Sequence, residues 1–297
     1  MSGAARVRET ARAAYDSGDF ETAIELVESA LAASHADDEV TPALLRCDLA
    51  RYLYLKGRGR EADEQLRLAE PVAEREGGEP RAAWLSSKAW LHLNHLEFGP
   101  AHAAAQEALR LARDLGLARV EAESLGQIAT IEVHDHGAER GLPRAEEALA
   151  AARAVPDPDL VAETMINVAT SLELRGDPDA AIAYLERGQR ELASVRGVLV
   201  ADFLTLCLAQ LLAHRGRTAE ARELLDDLAP ARLDGVVGVF FRIVQAELAV
   251  AVGDLSGAML WIDGIDVSGW AYSDQWNAEL DDLLDTVRRG FDEASPV

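Results

Sequence analysis

DPDLVAETMINVATSLELRGDPDAAIAYLERGQRELASVRG, residues 157–197, decides the fold. It reads as two helices joined by a tight turn. Asp157 or Asp159 can accept from the free N–H groups of a first helical turn, and Pro158 suits the start of a helix, where no N–H is needed. Leu160, Thr164, Val168 and Leu172 recur every four residues and so share one helical face. Arg175-Gly176 ends that helix: a cation near the last carbonyls, then a residue that enters the left-handed region with no Cβ clash. Asp177 caps the next helix, whose packed stripe is Ala181, Leu185 and Leu192. The predicted unit is an antiparallel helical hairpin.

The unit recurs. Gly18-Asp19-Phe20 leads to Ala23, Gly57-Arg58-Gly59 to Ala62, Gly216-Arg217-Thr218 to Ala221, and Gly253-Asp254-Leu255 to Ala258. Two degenerate copies are Leu96-Glu97-Phe98 with Ala101 and His136-Gly137 with Ala145. The anchors fall at 18, 57, 96, 136, 176, 216 and 253, a step of 37–40 residues. Self-similarity at such a period means stacked supersecondary units, none able to bury its apolar face alone. The expected architecture is all-α: a single α-solenoid over 1–297, a right-handed superhelix of about seven hairpins at 4–38, 42–77, 80–116, 118–155, 158–196, 198–233 and 236–268. An amphipathic helix over 273–292, with Trp276, Leu280, Leu283, Leu284 and Val287 on one face, is the expected end cap. The fourth unit holds about four extra residues between its helices, around His136 to Pro143, which read as a longer loop.

Composition agrees with helix. Hydrophobic residues make up 49% of the 297, and aromatics only 5%; much of the apolar content is Ala, which favours helix and close helix packing. The net charge of −23 argues against a nucleic acid or an anionic membrane as partner. Its ordinary use is solubility; its sharper implication is a basic partner. Lys56 and Lys88 are the only lysines, an arginine bias that suggests a bacterial origin. No signal-peptide core or run of 18 apolar residues appears, and Cys47 and Cys207 sit in different units, so a reduced, cytoplasmic protein is expected.

Ala11, Gly18, Phe20, Ala23, Val27 and Ala30, with Ala50, Gly57, Gly59, Ala62, Leu66 and Ala69 in the second unit, resemble the tetratricopeptide repeat (TPR) pattern. The resemblance spans roughly residues 4–268. Its longer period is similar to that of the arrays in bacterial transcriptional activators and peptide-sensing regulators. No P-loop or basic recognition helix accompanies it.

The resemblance implies that the first helix of each unit lines a concave groove that binds a protein or a peptide. The groove residues it selects are Arg12, Arg51, Trp90, Asn94, Gln127, His134, Asn167, Thr170 and Gln210. Asn167 and Gln127 carry amides that donate to a carbonyl and accept from an N–H at once. Arg12 and Arg51 could take a carboxylate, but pairing with nearby acids such as Glu9 and Asp48 is the plainer expectation. The implied role is a scaffold, an adaptor or a peptide-responsive regulator, without cofactor, bound metal or catalytic residues.

Other motifs carry rival readings. Asp281-Asp282-Leu-Leu-Asp285 matches the DDxxD of isoprenoid synthases and supports the alternative of a metal- or diphosphate-dependent enzyme, or a biosynthetic accessory protein, of all-helical fold. It also reads as the polar side of an acidic amphipathic helix. His134-Asp135-His136 lacks an evident third ligand for a metal. Trp261, Trp270 and Trp276, near Phe240, Phe241 and Tyr272, either seal the last unit or form an aromatic patch that would join two copies as a homodimer.

Overall fold

The computed structural model describes residues 3–34, 38–193, 199–228, 233, 235–265 and 273–294. They form helices and connecting turns. The chain opens with α1 (Gly3–Asp16) and α2 (Phe20–Ala32), followed by α3 (Val40–Leu55), α4 (Gly59–Glu76), α5 (Gly78–Asn94) and α6 (Phe98–Leu115). The middle holds α7 (Ala118–His136), α8 (Ala138–Arg153), α9 (Pro158–Leu174) and α10 (Pro178–Leu192). Then come α11 (Leu199–His214), α12 (Thr218–Asp226), α13 (Gly235–Ala251), α14 (Leu255–Ile262) and α15 (Ser273–Ala294). Successive helices pair as hairpins, and odd-numbered helices also touch the odd-numbered helix of the next hairpin. The fold is a TPR-like α-solenoid.

Small side chains set the hairpin spacing. Ala23, Ala62, Ala101, Ala145, Ala181, Ala221 and Ala258, the anchor of each unit, are all fully buried. A larger residue there would push the two helices of its hairpin apart. In the unit that opened the reading, Leu160, Thr164, Val168 and Leu172 are buried, as are Ala181, Leu185 and Leu192. Asp157, not Asp159, caps α9, accepting from the N–H groups of Asp159 and Leu160, while Asp177 caps α10 through Ala180.

Outside the fourth unit, the turn between the two helices of a hairpin is a Schellman motif. Gly176 has φ +83°, and the N–H of Asp177 donates to the Leu172 carbonyl at 3.0 Å. In the third unit Leu96 holds the glycine's place at φ +57°, and Glu97 donates to His92 at 2.9 Å in the same pattern. Leu96 is the one non-glycine with positive φ among the described residues.

The fourth unit differs from expectation. Its extra residues do not form a loop: only Gly137 separates α7 from α8, and Pro143 lies inside α8. The surplus adds a turn to the start of α8, laid directly on the end of α7. Gly141 makes this fit, since a Cβ there would stand 2.1 Å from Val133 Cγ2 and 2.9 Å from the Ala129 carbonyl.

At the far end α15 covers α13 and α14 with Leu280 and Val287 buried and Leu283 and Leu284 half-buried. Trp261 packs edge-on to Phe241, with ring centroids 5.8 Å apart. Trp270 and Tyr272 lie outside the described residues, as does the side chain of Trp276. No helix among the described residues is long and apolar enough to cross a membrane. Cys47 and Cys207 are free thiols, each pushed up to about 12 by burial.

The superhelix returns on itself. α13 meets α3, and α11 meets α1. The seam is tight: a Cβ on Gly235, at the start of α13, would stand 1.9 Å from the carbonyl oxygen of Leu55 at the end of α3. The concave face is therefore the inside of a ring.

Candidate functional site

The inside of the ring holds a cavity of about 390 Å³. All seven odd-numbered helices from α1 to α13 reach it: Tyr15, Arg51 and Tyr54, Trp90 and Asn94, Gln127 and Thr130, Glu163 and Asn167, Phe203, and Val237, in chain order. Its apolar lining comes from Trp90, Leu93, Leu96, Phe98, Ile166, Val200, Phe203 and Val236. Arg51, Gln127, Glu163 and Asn167 are among its polar residues.

Six of the nine groove residues selected from the sequence stand on this lining: Arg51, Trp90, Asn94, Gln127, His134 and Asn167. Trp90 meets the Tyr54 ring edge-on at 5.0 Å and carries the Arg51 guanidinium 4.9 Å from its centroid. His134 stacks on Phe98 at 4.7 Å, and Asn94 donates to the Trp90 carbonyl at 2.6 Å. Gln127, only 4% exposed, donates through Nε2 to the Ser86 carbonyl at 3.1 Å; its Oε1 is buried with no hydrogen-bond partner.

Three selected residues are elsewhere. Thr170 is exposed and off the lining. Gln210 donates to Glu247 at 3.1 Å. Arg12 is committed to the protein itself: it reaches Asp16 at 2.7 Å, Asp157 at 3.1 Å and Asp159 at 3.5 Å. The expected pairing of Arg12 and Arg51 with Glu9 and Asp48 does not form. Arg8 takes Asp48 at 2.6 Å, and Arg51 faces Glu163 at 3.8 Å. Ring closure is the reason, because it brings the acids of α9 against the cations of α1 and α3.

The pairs of Arg12 and Arg51 belong to a wider charged network, from which Arg51 and Glu163 reach the cavity lining. Arg119 holds Asp157 at 2.5 Å and Glu123 at 3.0 Å, and the Ser86 hydroxyl donates to Glu123. Asp159 is pushed up to about 8, first by burial and then by its hydrogen bond with Asp16 and that group's charge. Burial raises Glu163 as well, against the pull of Arg51. Burial works the same way on Glu123, but the charges of Arg119 and Arg51 outweigh it and hold that carboxyl low. Asp159, Glu163 and Asn167 follow one another at four-residue steps, as do Arg119, Glu123 and Gln127. That spacing was the available signal for the network. The apolar wall had none, since a Leu or Val facing inward is written no differently from one facing the core.

The aspartate motif of α15 does not meet the cavity. Asp281, Asp282 and Asp285 are exposed on α15, and Asp285 pairs with Arg288 at 3.1 Å. No group of three His, Cys, Asp or Glu side chains placed to hold a metal occurs among the described residues.

Comparison with known proteins places the fold. A sequence profile of the tetratricopeptide repeat matches residues 120–190. No curated protein matches the chain in sequence. Among solved structures, it is similar to a Rap protein complexed with competence and sporulation factor: TM-score 0.65 at 17% identity, covering 98% of this chain and 92% of that one. It is also similar to NprR in complex with its cognate peptide NprX, with TM-score 0.60 and 17% identity over 88% of this chain and 76% of that one. A tetratricopeptide repeat protein from Parabacteroides merdae superposes with TM-score 0.55 at 15% identity, covering 96% and 98% of the two chains.

Proposed function

We propose that this chain is a non-catalytic regulatory binding module whose central cavity takes a peptide or a short segment of a partner protein. One observation carries the reading: every odd-numbered helix from α1 to α13 contributes to a single cavity, so an occupant touches all of the hairpins at once. A ligand so placed changes the balance between closed and open forms of the ring by its differential affinity for them. That suits a ligand-responsive regulator better than a passive scaffold. The similar Rap and NprR structures, solved with bound factors, support the choice. Trp90 and Phe98 supply stacking surface in this reading, and Asn167 and Gln127 orient a polar group.

The test is native mass spectrometry of the protein isolated from its own cells. A bound mass of a few hundred daltons on the wild type, lost when Ile166→Trp fills the cavity, is the expected result. A wild type without any bound mass, and with no thermal shift from a pool of short peptides, would sink the reading.

A further inference from the structure

Two acceptors on residues that line the cavity are poorly satisfied. Gln127 lines the cavity; its Oε1 is buried and has no hydrogen-bond partner among the described residues, while its Nε2 donates to the Ser86 carbonyl. That bond also fixes which amide atom is left unpartnered, since the reversed amide would set oxygen against the Ser86 carbonyl oxygen. An orphaned buried acceptor is costly unless a ligand or water supplies a donor.

A second acceptor belongs to the same lining. Glu163 has one ion-pair partner, Arg51, at 3.8 Å, too far for a hydrogen bond. Its side chain is 38% exposed and lines the cavity. The network behind it sets Arg12, Arg51 and Arg119 against Asp16, Asp157, Asp159, Glu123 and Glu163, three cations against five carboxyl groups. A proton retained on Asp159 still leaves one carboxylate more than the cations can balance.

We propose that the cavity binds a compact ligand through a primary ammonium group, which donates to Gln127 Oε1 and the Glu163 carboxylate, while an apolar body lies on Trp90, Phe98 and Phe203. This rests on the cavity being the binding site, as argued above, and names the chemistry it selects. An ammonium has three donors and no acceptor, which matches two acceptors that lack them. The charge of the whole chain, −23, steers a cation toward it. The volume, about 390 Å³, is near the lower end of the roughly 300–1,000 Å³ of small-ligand sites, so the body is small. Two sources share this chemistry: a small-molecule amine and the free N-terminus of a short apolar peptide.

Titration calorimetry on the full chain separates the cases with four probes: 3-phenylpropylamine, the isosteric alcohol 3-phenylpropanol, and Leu-Phe-Leu amide with its N-terminus free or acetylated. At least one charged probe should bind at one per chain, about tenfold tighter than its neutral counterpart. Preference for the free peptide assigns the ligand to peptide N-termini; preference for phenylpropylamine assigns it to small amines. Glu163→Gln and, separately, Gln127→Leu should each shrink the charged-over-neutral ratio toward one, with an unchanged helical signal as the check on folding. Equal binding of charged and neutral probes, or a ratio untouched by both substitutions, overturns the ammonium proposal and leaves the cavity reading standing. No binding by any probe overturns the ammonium proposal and weighs against the cavity reading with it.

Discussion

Arg12 Nη2 lies 3.1 Å from Asp157 Oδ2, although 145 positions of sequence separate the two residues. The contact joins the first hairpin to the fifth across the superhelix axis. It differs from every contact inside a hairpin, because only the curvature of the whole array brings its partners together.

Arg12→Gln should therefore loosen the ring without melting the hairpins. It leaves Asp157 and Asp159 half-compensated in a site that is largely buried, and since Arg12 keeps some solvent contact the cost is about 2 kcal/mol. The expected readout is faster amide hydrogen exchange in α1 and α2, with α5 to α8 unchanged, because repeats unfold by neighbour contacts. Uniform acceleration along the chain would contradict this.

Asp159 should make the protein less stable as pH rises. Its folded carboxyl titrates near 8 and an ordinary aspartate near 3.9, so between those values the folded state holds a proton that the unfolded state has released. Stability contributed by this group is complete below about pH 4 and lost as pH climbs through about 8. Asp159→Asn should flatten that part of the pH profile. Urea midpoints measured at pH 5, 6.5 and 8 check it: parallel slopes for wild type and variant would contradict the assignment.

Leu96→Gly should stabilise. Leu96 stands at φ +57° where other units place glycine, and its side chain is 45% exposed at the cavity rim. Relief of the left-handed strain is worth about 1 kcal/mol, or a melting temperature higher by about 2 °C, after the entropy that glycine adds to the unfolded chain. A lower melting temperature would mean that the Leu96 side chain contributes more at the rim than its backbone costs.

Gly235→Val should open the seam. Its Cβ would overlap the Leu55 carbonyl, a backbone atom that cannot rotate away, at a position with φ +57°. The cost of such overpacking is about 1–3 kcal/mol, concentrated where the two ends of the array meet. Far-UV dichroism should stay near wild type while the radius of gyration from small-angle scattering increases. An unchanged radius would show that the ring does not depend on this contact.

The local half of the protein was written plainly. A turn residue with positive φ and a buried Ala recur in each hairpin, an Asp cap joins them at Asp19, Asp177 and Asp254, and every anchor alanine is fully buried. Legibility stopped where a feature needed two distant segments. Arg12 and Arg51 are expected to pair with nearby acids such as Glu9 and Asp48; Arg12 does take a near acid, Asp16, but its other partners and that of Arg51 come from the start of α9. The surplus residues of the fourth unit, read as a loop, became helix because Gly141 removes the Cβ that would have held α8 off α7.

The sequence alone determined the hairpins, their number and, outside the fourth unit, their turns, because helix periodicity, capping and left-handed glycines act over a few residues and leave their pattern in the order of the chain. The tertiary structure alone decided that the array closes. Curvature is the sum of small rotations between successive repeats, set by how side chains of adjacent helices mesh, and no single unit encodes the total. That sum places Gly235 against Leu55 and Asp157 against Arg12, and so turns an expected groove into a cavity ringed by seven helices.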